Sequence, residues 1–445
     1  MSDKFKINIK NHKLSLSVYG LGNVGGPIAA VWLRAGAKVI GVDISKNLLI
    51  DIRNGNSHKK EPYVSNEFLK GLKNKTLSLT DDGIFASKNS DIKIIIVPVA
   101  TKNGKADFSS LISVAKSVSQ GLKKGDTVIV CPSLPPQTTE KIILPILEKG
   151  SNLKGEKDFF LIYNPERIYE GRAIEDIENN YPAIVAGLGK KSLAVGSSIL
   201  KIISKKGVQE LTSLSAAEAE KLFEGIYRDV NIALANELSQ YCENLGINFW
   251  ETRIAANSQP FCHLHYPGTG VGGLCIPVYP QIILESAKKI GKKMEIVQKA
   301  RNYNDLMPKK CVDSSLDFLK LHKKITKSIK VSVLGLGFRG DVTDSRLSPT
   351  YDVVKEFLKN GLQVIVHDPY IFEDNLLPEN VVLTNNLEFA ILDSDLIFIS
   401  TDHKIYSTLT SSSLKSSKNP LLIYDGRNIL DKNKFHKSEI KTIGI

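Results

Sequence analysis

Residues 14–43 constrain the fold of this chain more tightly than any other stretch. Leu14–Tyr19 is a short apolar run of strand type, followed at once by Gly20-Leu21-Gly22-Asn23-Val24-Gly25. Pro27 then opens a helical pattern, PIAAVWLRAG, and a second strand-like run, KVIGVD, ends on Asp43. A strand that turns through GxGxxG into a helix, then a strand ending in an acid, opens a parallel α/β sheet of dinucleotide-binding type. Gly20 permits the tight turn, Gly22 lets backbone reach a pyrophosphate, and Gly25 lets the helix close on the strand. Asn23 and Val24 complete the loop, where the helix N-terminus faces the phosphates. Asp43 would accept hydrogen bonds from ribose hydroxyls and repel a 2′-phosphate, which favours NAD over NADP.

Further strand and helix units follow. IKIIIVPVA (Ile92–Ala100) and DTVIVCPS (Asp126–Ser133) read as parallel strands, with the helix-like SLISVAKSVSQGL between them. FFLIYNPE (Phe159–Glu166) is another strand, with Glu170 close behind its end. In such sheets ligands bind at the carboxyl ends of the strands. A second α/β unit begins at VSVLGLG (Val331–Gly337), where Gly335-Leu336-Gly337-Phe338-Arg339-Gly340 formally repeats the glycine motif. DVTDSR intervenes before the next helix, near Ser348, and the following strand-end acid is Asp368. This unit reads as Rossmann-like without being a second ordinary NAD site.

Between the two units, apolar residues recur at three and four from Thr212 onward for more than thirty residues. Such a long, two-faced helix joins domains and forms dimer cores. Lys221 lies on it. The stretch YPGTGVGGLCIPVYP (Tyr266–Pro280) follows, then QIILESAKKIGKKMEIVQKARNYNDLMP, read as a further helix, and a basic linker, Lys320–Lys330. Gly272 and Gly273 precede Cys275, so the cysteine sits on a turn with no side chains in a ligand's way. A thiolate presented there is a strong nucleophile. The expected architecture is α/β: two Rossmann-like parallel-sheet domains, 1–210 and 320–445, joined by a central helical domain, 211–319, with a long dimerisation helix. Two nucleotide-type domains flanking Cys275 suggest two ligands meeting over it.

At 445 residues with 42% apolar content, the chain can fill such cores. Its five cysteines show no CxxC pair or framework spacing, which argues against structural zinc or disulfides and for a reducing cytoplasm. The N-terminus has no apolar signal region, and no later run is long enough to span a bilayer. Net charge is +12, but the lysines are scattered without interleaved aromatics. That pattern fits solvated faces better than a nucleic-acid site, and it suits a polyanionic small molecule. No membrane, nucleic-acid or metal partner is expected.

Over nearly its whole length the chain resembles the UDP-glucose/GDP-mannose dehydrogenases, which oxidise a nucleotide sugar at C6 to a uronic acid. The resemblance rests on GLGNVG, the EP of Glu61-Pro62, SLPPQTT, NPERIYEGRAIEDI, the lysine helix, GVGGLCIP, LGLGFRGDVTDSRLSP, HDPY and DGRN. It implies that Cys275 attacks the aldehyde left by a first hydride transfer. The thiohemiacetal then gives up a second hydride, and water hydrolyses the thioester. It further implies Lys221 at the oxyanion, Glu166 as a base or water-positioning group, and Ser133 on the cofactor side. Glu170, Gly272, Gly273, Phe338, Arg339 and Arg346 fall among the substrate-binding positions. Phe338 and Arg339 match the family pair beside the uridine, and Arg346 matches a family arginine that reaches the nucleotide sugar, in some members across a homodimer.

YRDVNIALANEL and PGTGVGGLCIPV resemble the branch acting on UDP-N-acetylhexosamines, particularly UDP-N-acetylmannosamine, whereas Glu170 resembles the UDP-glucose branch. The chain departs from the family pattern at Gly225, where the family has asparagine, and at Tyr279, where it has aspartate. Three readings therefore stand side by side: an active NAD-dependent UDP-sugar 6-dehydrogenase, a catalytically weakened nucleotide-sugar-binding or regulatory relative, and an ordinary two-electron dehydrogenase, which fits Tyr279 but leaves the cysteine loop without a task. Gly225 and Tyr279 favour the second. Cys275, Lys221, Glu166 and both glycine loops favour the first.

Overall fold

The computed structural model describes residues 8–9, 11, 14–58, 61–102, 105–322, 328–418, 421–435 and 440–445. The chain forms two compact units, Met1–Glu224 and Gly225–Ile445. In the first, β1 (Ser15–Tyr19), β2 (Lys38–Val42), β3 (Leu77–Thr80), β4 (Ile92–Ile95), β7 (Thr127–Val130), β8 (Phe160–Tyr163), β9 (Ala183–Gly187) and β10 (Val208–Glu210) build one sheet. Its order is β10-β9-β8-β7-β4-β1-β2-β3, parallel throughout except between β8 and β9. Strands covered on both faces read as apolar runs, as β2 (KVIGV) and β7 (TVIV) do, while β1 and β4 carry the buried polar residues Ser17 and Lys93. Helix α1 (Gly25–Arg34) packs Ile28, Ala29, Val31 and Trp32 into the core on one side. Helix α2 (Ser109–Gly121) supplies Leu111, Ala115 and Val118 to a second cluster.

The strand expected over Ile92–Ala100 ends at Ile95. Pro98 has no N–H to offer a ladder, and Ala100–Lys102 (β5) pairs instead with Lys105–Asp107 (β6) as a separate antiparallel hairpin.

In the second unit β11 (Lys330–Leu334), β12 (Gln363–His367), β13 (Val382–Thr384), β14 (Leu396–Ile399), β15 (Ile423–Asp425) and β16 (Ile440–Thr442) form a wholly parallel sheet. Its order is β13-β12-β11-β14-β15-β16. The two sheets are Rossmann-like, and between them in sequence lies a helical region.

That region starts with α3 (Leu214–Leu245), 32 residues long. The single helix expected after the cysteine turn is two: α4 (Val278–Lys289) and α5 (Glu295–His322). Gly291, at φ +70°, takes the left-handed conformation that closes α4, and Lys292 N–H donates back to Ala287 O at 2.9 Å. Helix α5 then runs through Pro308 to His322. The expected basic linker, Lys320–Lys330, belongs to the end of α5 and the start of β11, and 323–327 lie outside the described residues. Helix α6 (Thr350–Lys359) follows β11 and its long loop.

Candidate active site

The first glycine loop is shaped by sterics. Gly20 has φ +93°, and a Cβ there would stand 2.7 Å from Ile96 O. A Cβ on Gly25 would stand 1.8 Å from Gly20 O, so only glycine lets α1 begin this close to β1. Gly22 is exposed, with no heavy atom within 4 Å of where its Cβ would be, so its bare backbone faces open space. Asn23 is exposed and Val24 half-buried at the mouth of α1. Asp43, at the end of β2, is half-exposed; its Oδ2 accepts from Leu21 N–H and its Oδ1 from Ser45 N–H, each at 2.8 Å. A carboxylate has about four acceptor positions, so Asp43 retains capacity for ribose hydroxyls.

The second glycine loop reuses the motif differently. Gly335 has φ +99°, but Asp368 is fully buried. Its Oδ2 accepts from Leu336 and Gly337 N–H and faces His403 Nε2 at 3.1 Å. Its Oδ1 accepts from Tyr370 and Ile371 N–H. That carboxylate is saturated by the protein and leaves nothing for a ribose.

Ser133 stands half-buried after β7. Glu166 and Glu170 follow β8. Glu166 lines a cavity of about 60 Å³ with Trp32, Cys131, Tyr181 and Pro182 among its walls. Its Oε1 is buried without a hydrogen-bond partner among the described residues. Burial pushes its carboxyl up to about 7, against the opposing pull of the Lys221 charge. Lys221, on α3, donates from Nζ to the Glu166 backbone carbonyl, so the two candidates are adjacent.

Cys275 lies exposed just before α4, and its carbonyl accepts from Val278 N–H at 3.1 Å and Tyr279 N–H at 3.0 Å. Of the other cysteines, Cys131, Cys242 and Cys311 are buried and Cys262 is half-buried. Burial pushes the Cys311 thiol up to about 12. The glycines before Cys275 are fitted to the loop after β11. Gly273, at φ +84°, donates its N–H to Arg346 O at 3.0 Å, and a Cβ on it would stand 2.9 Å from the Phe338 ring. A Cβ on Gly272 would meet Leu347 O and Phe338 Cβ, each at 2.7 Å. The structure thus brings Gly272, Gly273, Phe338 and Arg346 together around the cysteine turn, with Arg339 next along the same loop. The Arg346 guanidinium grips Asp344, Nε to Oδ1 at 2.8 Å and Nη2 to Oδ2 at 2.5 Å.

Several residues that hold these loops escaped the sequence reading. Glu61, quoted there only as part of a motif, accepts from Gly171 N–H at 2.7 Å and Ala173 N–H at 3.2 Å, bracing the turn behind Glu170. Glu218 accepts from Gln137 N–H, Thr139 N–H and Thr139 Oγ1, and burial raises it to about 7. Asp229 takes Arg301 Nη1 at 2.5 Å and Asn304 Nδ2 at 2.8 Å; Asn236 joins Asn304 at 3.0 Å and receives Gly268 N–H at 2.9 Å. This network anchors the approach to the cysteine turn. The available signal was polar residues at 218, 229 and 236, standing in the apolar register of α3.

Two Rossmann-like sheets, the first opening on a dinucleotide loop, fit an NAD-dependent dehydrogenase. The chain belongs to the UDP-glucose/GDP-mannose dehydrogenase family, whose members are NAD-dependent nucleotide-sugar dehydrogenases. Residues 14–204 match that family's NAD binding domain, 215–306 its central domain and 332–432 its UDP binding domain. The chain is 32% identical to the UDP-N-acetyl-D-mannosamine dehydrogenase of Pyrococcus horikoshii, over 94% of this chain and 96% of that one. It is 32% identical to the enzyme of that name from Campylobacter jejuni, over 90% of this chain and 98% of the other. The solved structure of the Pyrococcus horikoshii UDP-D-ManNAc dehydrogenase has a TM-score of 0.88 at 30% identity, covering 97% of this chain and 99% of that chain. UDP-N-acetyl-mannosamine dehydrogenase from Staphylococcus aureus has a TM-score of 0.84 at 29% identity, covering 97% of this chain and 98% of its own.

NAD is the cofactor, and the first loop fits it: Gly22 is open to a pyrophosphate and Asp43 keeps acceptor capacity for a ribose. No described helix is long and apolar enough to cross a membrane. No group of three or more His, Cys, Asp or Glu among the described residues could hold a metal ion.

The two glycines make a paired test. Gly25→Ala forces a clash inside the fold, an overpacking cost of about 1–3 kcal/mol, with NAD affinity expected to fall roughly ten- to hundredfold. Gly22→Ala meets no atom, so thermal unfolding of the NAD-free protein should not shift, while calorimetry shows NAD affinity reduced. UDP affinity should be unchanged in both.

Proposed function

We propose that this chain is a UDP-N-acetylhexosamine 6-dehydrogenase, with UDP-N-acetylmannosamine as its favoured substrate, oxidising C6 from alcohol to carboxylate through Cys275. The observation that carries this reading is the exposed thiol at the head of α4, on a turn fitted to Phe338 and Arg346. The names of the similar enzymes support the sugar. In this scheme the domains divide as 1–210 for NAD, 211–319 for the cysteine turn and the dimer helix, and 320–445 for the UDP moiety, with Phe338 and Arg339 beside the uridine.

NAD, when bound, accepts a hydride in each of the two oxidations. The first leaves an aldehyde, which the Cys275 thiolate attacks to give a thiohemiacetal. Loss of the second hydride gives a thioester, and water cleaves it, releasing uronate and the thiol. Lys221 supports the oxyanion, and its hold on the Glu166 carbonyl keeps the two groups adjacent. Glu166, poised near neutral, suits a base that activates the water. Glu170, Gly272, Gly273 and Arg346 bind the sugar nucleotide, and Ser133 sits on the cofactor side. The enzyme works in the cytoplasm.

A regulatory or binding role is the second reading, favoured by Gly225 and Tyr279, which supply neither the amide nor the carboxylate of the family pattern. A UDP-glucose 6-dehydrogenase remains the alternative enzyme, favoured by Glu170. A homodimer is proposed from α3, where Phe223, Tyr227, Leu234, Tyr241 and Leu245 recur along the helix as exposed apolar residues.

Purified protein given NAD and UDP-N-acetylmannosamine should form two NADH per sugar and a uronate, and Cys275→Ser should abolish the second. One NADH with free aldehyde as the end product contradicts the scheme. Loss of one oxyanion donor costs ~10²–10³ in rate, so a burst of NADH followed by slow turnover is expected, with the acyl-enzyme visible by mass spectrometry. No NADH with any UDP-sugar would promote the binding role.

Because burial raises Glu166 to about 7, a base at this position gains activity as pH rises through 7 and levels off above it. The kcat profile should show that limb, and Glu166→Gln should remove it. Light scattering should find a dimer at micromolar concentration, and the double change Leu234→Glu, Tyr241→Glu should give a monomer.

A further inference from the structure

Gly225 has no backbone reason to be glycine. It lies inside α3 with ordinary helical geometry and is absent from the positive-φ positions, where glycine has its advantage. A glycine in a helix interior is destabilising relative to alanine. Its explanation is steric: a Cβ at Gly225 would stand 2.3 Å from Tyr279 Cδ2, 3.1 Å from Cε2 and 3.2 Å from Cγ. These are atoms of a buried ring, close to its attachment, and they cannot swing aside as the tip of a flexible chain could.

Tyr279 is the second residue of α4, and its N–H donates to the carbonyl of Cys275 at 3.0 Å. The ring lodged against Gly225 is therefore one hydrogen-bonded turn from the thiol. On the other side of Cys275, Gly273 is tied to the Arg346 carbonyl and pressed to the Phe338 ring. The cysteine turn is thus held at both ends, by backbone on aromatic ring each time, while the thiol between them stays exposed.

We infer that Gly225 and Tyr279 act as one unit, with Tyr279 a positioning residue that fixes the head of α4, and with it Cys275, against α3. The ring occupies space that any side chain at 225 would need. Changing either position alone breaks a fit that changing both can restore. The inference rests on the reading of Cys275 as the nucleophile for its catalytic consequence, though not for its structural test.

The test is a cycle of Gly225→Ala, Tyr279→Ala and the double variant. Each is read by the rate of iodoacetamide alkylation at Cys275, resolved by peptide mass with Cys275→Ser as the blank, and by NADH formed from UDP-N-acetylmannosamine. Contacting residues couple, and small misplacements of a reacting group are costly. Gly225→Ala is therefore expected to change the Cys275 alkylation rate about fivefold or more and to lower kcat at least tenfold. KM for NAD should stay unchanged. In the Tyr279→Ala background the same change should alter both rates less than about twofold. Equal factors in the two backgrounds, or a Gly225→Ala protein alkylated at the wild-type rate, would overturn the inference. If Gly225→Ala does not fold, recovery of folded protein on adding Tyr279→Ala supports it, and no recovery overturns it. Alkylation needs no turnover, so a Cys275→Ser enzyme that still forms two NADH would sink the covalent reading without touching this cycle.

Discussion

Close approach of backbone to its neighbours, nearer than any Cβ allows, is the constraint on which the candidate site depends. It recurs at Gly25 under the Gly20 carbonyl, at Gly272 and Gly273 on Phe338, and at Gly225 against Tyr279. In the first case it lets a helix N-terminus begin directly behind a strand, which leaves Gly22 bare toward a phosphate. In the second it seats an exposed cysteine turn on the loop of the second sheet. In the third it ties α4 to α3. The chemistry of the site lies in a few side chains, but their positions follow from where side chains are missing.

Around these contacts the loops are held by acids placed where water is scarce. Glu218 gathers two backbone N–H groups and a hydroxyl, Glu61 gathers two backbone N–H groups, and Asp229 carries Arg301 and Asn304. Desolvation raises all three, Asp229 to about 6 and Glu218 to about 7. Such groups add little net stability, because desolvation offsets much of the interaction they make. What they fix is geometry: Glu61 and Glu218 satisfy backbone N–H groups where loops meet helices, and Asp229 holds two side chains of α5 against α3. The same physics acts on Glu166, whose buried Oε1 has no hydrogen-bond partner among the described residues.

The two glycine loops show how one motif supports different tasks. In both, an acid after the second strand meets the N–H groups of the loop. Asp43 takes one loop N–H and stays half-exposed; Asp368 takes two, plus two more from its own turn, and faces His403. The first acid keeps room for a ribose, whereas the second serves as an internal brace for a loop that carries Phe338, Arg339 and Arg346. A motif therefore predicts the turn it builds more securely than the ligand it receives.

The sequence by itself determined whatever depends on local backbone needs. Gly20, Gly22 and Gly25 with Asp43 announced the first sheet, the apolar period of α3 announced a helix of more than thirty residues, and two glycines before Cys275 announced an accessible turn. The tertiary structure alone decided the rest. It turned Asp368 inward onto the loop after β11. It also brought Gly225 beneath the Tyr279 ring. Each of these turns on which distant segments pack together, and a contact between residues far apart in the chain leaves no periodicity or spacing in either segment to read.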